Sequence, residues 1–418
     1  MLTEKEIEFI EKFQGCDDPE RLLLSRNKYE GINVPLCVNC IISRKRIRKK
    51  LPSWYANPHL VYPNLLCTEQ CSSQATAEYK VSVLKRLLRF DTPAGHTGAD
   101  LTAGLGADSL YLSHLTEKFY CYEQNRELCR ALEYNMKELG RENIEVTEME
   151  TTPESVAALP GNLSFIYIDP ARREAGDSSR RKYSIKECTP NLLELSDSLL
   201  EKSGIVMAKL SPMADIRECL GLLPQTTEVH VVAVDNECRE LLFVMRPEST
   251  GIPHGCQALV YGVNICSTDR ETVSGSFTFR LREEEEAVAR YCSRPGRYLY
   301  EPYRHLLKCG AFKLLSQRYN LLKLAPATHL YTSDEPCNGF PGKIFAITEV
   351  CDFSKQTMKA MAKRFPVINL TARNFPLGSD AMKKSYGIKD GGDRHLFVTT
   401  LTDSRKTIIL TQIPTNGD

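Results

Sequence analysis

The sequence predicts an α/β protein. A mainly parallel sheet covered by helices forms its centre, a helical region precedes it, and small α+β modules follow. Three observations carry that prediction. Between Ala99 and Met245, short runs rich in Ile, Val, Phe and Tyr alternate with helical stretches, the pattern of parallel strands joined by crossovers. The first run leads into a glycine-rich turn, Asp100-Leu-Thr-Ala-Gly104-Leu-Gly106-Ala-Asp108. Another run, Leu163–Ile168, ends in Asp169-Pro170-Ala171-Arg172-Arg173, at the kind of strand tip where open α/β sheets gather ligands.

The chain has 418 residues, enough for two or three domains, and its 42% hydrophobic and 26% charged residues describe a globular protein. No apolar run is long enough to span a bilayer, so no membrane partner is expected. The start, MLTEKEIEFIEKF, is acidic and amphipathic and does not read as a signal peptide. The 16 scattered cysteines follow no disulfide framework, so reduced thiols in the cytoplasm are expected. A net charge of +1 conceals local clustering of basic residues.

Residues 1–90 read as a helical N-terminal region. Ile7, Phe9, Ile10 and Phe13 make an amphipathic start, and Pro19 opens a second helix. Cys37, Cys40, Cys67 and Cys71 have two readings, a zinc site or small buried apolar residues; the uneven second spacing favours the latter, and no metal is expected. Arg44-Lys45-Arg46-Ile-Arg-Lys-Lys50 places six cations in seven residues, and Trp54 and Tyr55 follow closely. Such a stretch suits an RNA backbone with stackable bases, or it is a solvated helix face. Gln70 and Ser72 lie in a polar stretch, Glu69–Ala77, before an amphipathic helix expected over Glu78–Phe90. That stretch reads as a lid over the cofactor or the acceptor, or as a plain cap by Ser72 or Ser73.

Residues 91–248 read as the central domain. Strands are expected at Ala99–Thr102, Phe119–Tyr122, Asn143–Val146, Leu163–Ile168, Ile205–Lys209, Glu228–Val234 and Arg239–Met245. Helices are expected at Ser109–Thr116 and Arg126–Leu139. Gly104 and Gly106 allow a sharp turn and close approach of a ligand, and the following helix would aim its N–H groups there. The spacing is Asp-x-x-x-Gly-x-Gly, without the third, helix-packing glycine of the dinucleotide fingerprint. Glu123, with Gln124 beside it, ends the second strand, where a carboxylate accepts hydrogen bonds from two ribose hydroxyls.

The glycine turn and Glu123 together resemble the cofactor region of class I S-adenosylmethionine-dependent methyltransferases, a Rossmann-like seven-stranded fold. The resemblance implies S-adenosylmethionine as cofactor. It places Asp100 near the methionine end, Glu123 at the ribose and Glu148 or Glu150 near the adenine, with Thr102, Ala103, Gly104, Gly106, Asp108 and Gln124 also at the cofactor. The tip at Asp169 is similar to the Asp-Pro-Pro-Tyr tip of amino-directed nucleic-acid methyltransferases. Asp169 and the Pro170 carbonyl would then accept hydrogen bonds from a target amine, with Arg172 standing where that family has an aromatic. It also resembles the Asp-Pro-Pro-Arg tip of uridine C5-methyltransferases. Those need a cysteine after the fifth strand, where this chain has Lys209-Leu-Ser-Pro212, so covalent C5 chemistry is not expected, and Lys209 and Pro212 are expected to contact the substrate instead. Arg172 and Arg173, with Arg180-Arg-Lys182, would hold phosphates, or Arg172 pins its own loop by a salt bridge.

The stretches Glu69–Ala77, Asp100–Asp108, Asp169–Arg173, Lys209–Pro212 and Asn236–Leu241 together resemble bacterial class I methyltransferases with a THUMP-like domain. That resemblance implies RNA, tRNA or rRNA, as partner. Asn236 and Glu237 face the site or cap a turn. Residues 249–340 read as a ferredoxin-like module, with strands at Gln257–Val263 and Gly275–Leu281 and helices at Tyr303–Leu314 and Gln317–Leu324. Residues 341–418 read as the THUMP-like module, with Lys355, Lys359, Lys363 and Arg364 on one helix face. The function expected is methylation of an RNA base nitrogen. Two alternatives stand beside it: a protein or small-molecule acceptor, and a non-catalytic RNA-binding protein that retains the fold.

Overall fold

The computed structural model describes residues 2–172, 183–248, 255–268 and 273–414. By internal contacts the chain forms two compact units, Met1–Val229 with Glu240–Gly255, and His230–Arg239 with Cys256–Asp418. Arg173 and Arg180-Arg-Lys182 lie outside the described residues.

The N-terminal region is helical, as its periodicity predicts: α1 (Glu4–Phe13), α2 (Arg21–Leu24), α3 (Val34–Ile47), α4 (Pro52–Tyr55), α5 (Leu65–Gln70) and α6 (Gln74–Leu88). Each long helix starts at a side chain that accepts an otherwise unpaired amide. Thr3 closes a capping box with Glu6, Asn33 accepts from Leu36 N, and Ser73 accepts from Thr76 N. Ser73 is thus the cap of α6, which begins four residues earlier than its apolar spacing suggests.

The first unit then alternates strand and helix: β1 (Thr97–Asp100), α7 (Ala107–Leu112), β2 (Lys118–Glu123), α8 (Arg126–Glu138), β3 (Ile144–Glu148), α9 (Pro153–Ala157) and β4 (Phe165–Ile168). A two-residue ribbon, β5 (Ala171–Arg172) with β6 (Cys188–Thr189), precedes α10 (Leu192–Lys202), β7 (Val206–Leu210), α11 (Ile216–Leu222), β8 (Thr226–Val234) and β9 (Glu237–Met245). The strand order is β3-β2-β1-β4-β7-β9, with β8 beyond β9. Neighbours from β3 to β7 are parallel, and β7 meets β9 antiparallel, Val206 opposite Met245. β4 is buried along its whole length, as expected for a strand covered on both faces. Asp235 and Asn236 take φ of 50° and 62°, the geometry of a tight hairpin turn between β8 and β9. Asn236 is therefore a turn residue, and its side chain accepts from Arg304 N at 2.7 Å.

In the second unit β10 (Leu259–Ile265) pairs antiparallel with β11 (Val273–Arg280), followed by α12 (Leu281–Glu286). A seven-stranded sheet follows, in the order β13-β14-β12-β15-β18-β17-β16. Its strands are β12 (Tyr298–Pro302), β13 (Leu322–Ala325), β14 (Thr328–Ser333), β15 (Gly342–Asp352), β16 (Asn369–Arg373), β17 (Arg394–Thr400) and β18 (Lys406–Gln412). Helices α13 (Arg304–Cys309), α14 (Phe312–Arg318), α15 (Lys355–Arg364) and α16 (Ser379–Tyr386) connect them. Two expectations are corrected here. The helix expected over 303–314 breaks at Gly310, which takes φ of 80°, into α13 and the start of α14. The helix expected over 317–324 stops at Arg318, because Asn320 takes φ of 53° and Leu322–Ala325 pairs with β14 instead. The Glu284 carboxylate caps α14 by accepting from Lys313 N and Leu314 N, both at 2.8 Å.

Candidate functional site

Strand order reverses at β1, which has β2 on one side and β4 on the other, and a cavity of about 270 Å³ opens beyond their carboxyl ends. Asp100, Thr102, Ala103, Gly104 and Asp108 line it from the glycine turn, Glu123 and Gln124 from β2, and Tyr167 and Asp169 from β4. Gln70 and Ser72, with Cys67 and Cys71, close one wall, and Ala171, Thr189 and Pro190 another. Most of the residues expected around a cofactor are thus brought together.

The two glycines of the turn have different jobs. Gly104 takes φ of 54°, and a Cβ there would have only Thr102 O within 4 Å, at 3.9 Å. Its N–H donates to Glu123 Oε2 at 2.9 Å, while Glu123 Oε1 accepts from Asn125 N at 2.8 Å. Backbone and acid therefore stand side by side with open space beside them. Gly106 takes φ of 88°, does not line the cavity, and a Cβ there would overlap Leu132 Cδ1 of α8. It supplies the close helix packing that the spacing of the turn left unassigned.

Asp100 is buried; its Oδ1 accepts from Thr102 N at 3.0 Å and its Oδ2 from Ser109 Oγ at 2.7 Å. Burial pushes its carboxyl up to about 7 in spite of both donors. At the tip of β4, Asp169 N donates to Thr102 Oγ1 at 2.7 Å, and Lys209 of β7 pairs with Asp169 Oδ2 at 2.5 Å. Among the described residues the other oxygen, Oδ1, takes no hydrogen bond. Burial opposes the charge of Lys209, but Asp169, Glu240 and Asp108 outweigh it and raise its pKa. Behind the wall, Lys80 of α6 is fully buried and donates to Ser72 Oγ at 3.1 Å, Asp108 Oδ1 at 2.9 Å and Glu240 Oε2 at 2.9 Å. Tyr167 Oη and Ser72 Oγ both donate to Asp108 Oδ2, at 2.8 and 2.7 Å. Burial works against the Asp108 charge, and Lys80 followed by Lys209 brings its pKa below the usual value.

Other expected site residues lie elsewhere. Glu148 is outside the cavity and faces Arg126 at 3.8 Å, whereas Glu150 lines it. Pro170 is buried, and Arg172 pairs with Glu187 at 3.4 Å on the β5–β6 ribbon. Pro212 does not line the cavity. Trp54 is 0% exposed, so it presents no face to a base. Arg44 donates to Tyr55 O at 3.2 Å, Lys45 to Cys16 O, and Arg46 pairs with Glu69. Cys37 and Cys40 are buried, with burial pushing both thiols up to about 12. Among the described residues no three His, Cys, Asp or Glu side chains are grouped as metal ligands. Sequence reading missed Lys80, Glu240, Tyr167 and Thr151, the last donating to Leu101 O at 2.6 Å. The sequence carried no local sign for Lys80, which sits among Glu78, Tyr79 and Ser82 in a mixed helix stretch.

Residues 298–341 match a ferredoxin-like domain family and residues 342–412 a THUMP domain-like family. No curated protein matches the chain. A solved structure from Porphyromonas gingivalis W83, described as a candidate methyltransferase, is 32% identical, with a TM-score of 0.83 over 99% of this chain and 100% of that one. An RNA methyltransferase candidate from Pyrococcus horikoshii matches 41% of this chain and 80% of its own, at 16% identity and a TM-score of 0.30. A methyltransferase candidate from Streptococcus mutans, solved with SAH, matches 41% of this chain and 97% of its own, at 13% identity and the same TM-score of 0.30. With the P. gingivalis protein matching along the whole length, the chain belongs to the class I S-adenosylmethionine-dependent methyltransferases that carry a THUMP-like domain.

Proposed function

We propose that the chain transfers a methyl group from S-adenosylmethionine to a base nitrogen of RNA, tRNA or rRNA. The observation that carries this reading is Asp169. It shares one cavity with Asp100, Gly104 and Glu123, and Lys209 holds one of its oxygens while the other stays available. The residues fit the cofactor: Gly104 leaves open space beside Glu123, a carboxylate at the second strand tip where a ribose diol would sit. When bound, that cofactor supplies an electrophilic methyl on a sulfonium.

The chain's own residues then have a short task, because methyl transfer is an in-line displacement that needs alignment more than covalent help. Glu123 accepts the ribose hydroxyls, and the carboxylates of Asp100 and Asp108 lie toward the cationic end. Asp169 Oδ1 accepts an N–H of the acceptor and turns the nitrogen lone pair to the methyl. A carboxylate paired with a buried ammonium accepts but does not donate, which selects an amine over a keto oxygen. Exposed Lys355, Lys359 and Lys363 on α15 supply cations for an RNA backbone.

Incubation with labelled S-adenosylmethionine and unmodified bacterial RNA, fractionated by size, tests the reading. Wild type is expected to label one RNA fraction, with Asp169→Ala slower by about a hundredfold or more. RNA binding is expected to weaken steeply with salt. Label entering protein or small molecules, with none in RNA, would overturn the RNA acceptor and leave the methyltransferase.

A further inference from the structure

Lys80 is the most deeply buried charged side chain beside the cavity, yet it does not line it. Its three ammonium protons are all spent. One goes to Ser72 Oγ, one to Asp108 Oδ1 and one to Glu240. Ser72 and Asp108 both line the cavity and come from different walls: Ser72 from the segment before α6, Asp108 from α7 behind the glycine turn. The ammonium thus bridges those two walls alongside the direct bond from Ser72 Oγ to Asp108 Oδ2, and Glu240 on β9 anchors it from behind. Other ionisable groups close by are Asp100 on β1, Tyr167 and Asp169 on β4, and Lys209 on β7.

Charges are expensive to take out of water, and a buried ion pair often adds no stability over apolar packing. Four separate elements, α6, α7, β7 and β9, nonetheless deliver Lys80, Asp108, Lys209 and Glu240 to one place. Both oxygens of Asp108 are held from the protein side, Oδ1 by Lys80 and Oδ2 by Ser72 and Tyr167. A side chain held at both oxygens presents a fixed wall to a ligand.

We propose that Lys80 is a positioning residue of the cofactor site: by hydrogen-bonding Ser72 and Asp108 together, it holds the two walls at the separation that S-adenosylmethionine requires. This rests on the cofactor reading above. It assigns Lys80 no contact with the cofactor and makes Glu240 its anchor.

Calorimetric titration of the full chain with S-adenosylhomocysteine tests the assignment, since it needs no knowledge of the acceptor. Lys80→Met removes the cation bonded to two buried carboxylates, leaving them only the more distant Lys209, and risks unfolding. The informative pair is therefore Glu240→Gln and the double variant Lys80→Met with Glu240→Gln. The double variant removes one cation and one anion and so keeps the cluster's net charge. Glu240→Gln retains the bonds from Lys80 to Ser72 and Asp108, and is expected to bind within about threefold of wild type. The double variant is expected to bind roughly tenfold or more weakly, while its circular dichroism and melting temperature match those of Glu240→Gln. A merely structural role predicts that affinity follows melting temperature. Equal affinity in the two variants, or an affinity loss matched by a lower melting temperature, would overturn the proposal. Failure of wild type to bind S-adenosylhomocysteine would instead overturn the cofactor reading, and the proposal with it.

Discussion

Two groups of charge in the first unit make opposite points. The run Arg44–Lys50 is the densest positive stretch along the sequence, and the structure spends much of it locally, on Tyr55 O, Cys16 O and Glu69. The cluster of Lys80, Asp108, Lys209 and Glu240 is invisible as a stretch, because Lys80 and Glu240 are 160 residues apart, yet it stands against the cavity. Density along the chain and density in space are different quantities. Exposed pairs in water are screened and cheap to lose. Pairs behind a cavity wall face a low dielectric, where each charge needs its partner.

That contrast can be broken or sharpened by measurement. The largest effect is expected for Lys80→Met alone. Removing the cation leaves Asp108 and Glu240 buried beside each other, and urea unfolding is expected to show a loss of about 3–5 kcal/mol. A loss below about 1 kcal/mol would place this cluster in the same class as a surface pair.

Next comes Asp100. Its carboxyl is raised by burial from 3.8 to about 7, so the folded state holds a proton that the unfolded state releases earlier. The Asp100 contribution to stability is complete below the unfolded value and is lost as pH rises through about 7. Asp100→Asn is expected to flatten the fall in stability between about pH 4 and about pH 7, as read by urea midpoints across pH. An unchanged slope would show that another group carries it.

The smallest effect is expected for Arg46→Ala. Arg46 and Glu69 are both about half exposed, and the unfolding free energy is expected to change by about 0.2–1 kcal/mol, less in high salt. A larger, salt-insensitive loss would erase the contrast between the two groups.

Much of the first unit was legible. The strands β1 to β4 and β7 to β9 fall within a few residues of the apolar runs, because buried strands write continuous runs that hydrophilic turns interrupt, whereas the two-residue strands β5 and β6 leave no such run. Asp100, Gly104, Glu123 and Asp169 were legible as a set because a strand, a tight turn and a strand tip each leave a local mark. Trp54, four residues past a basic run, reads as an aromatic for stacking on bases; its indole is buried, and only the fold shows which side of α4 faces inward. The end of α14 at Arg318 hung on the left-handed backbone of Asn320, a choice between two allowed conformations that pairing with β14 settles.

By itself the sequence determined the elements and the chemistry offered at their ends, since periodicity, caps and glycine conformations act over a few residues. Asn33, Ser73 and Asn125 cap their helices from within their own first turns. Tertiary structure alone decided which of the many lysines and carboxylates share a site. Lys80 meets Glu240 only when α6 packs beside the sheet and β9 runs beside β7, and Lys209 meets Asp169 only when β7 runs beside β4. Burial then sets their charge states, because desolvation and long-range Coulomb interactions depend on distance through space and carry no trace along the chain.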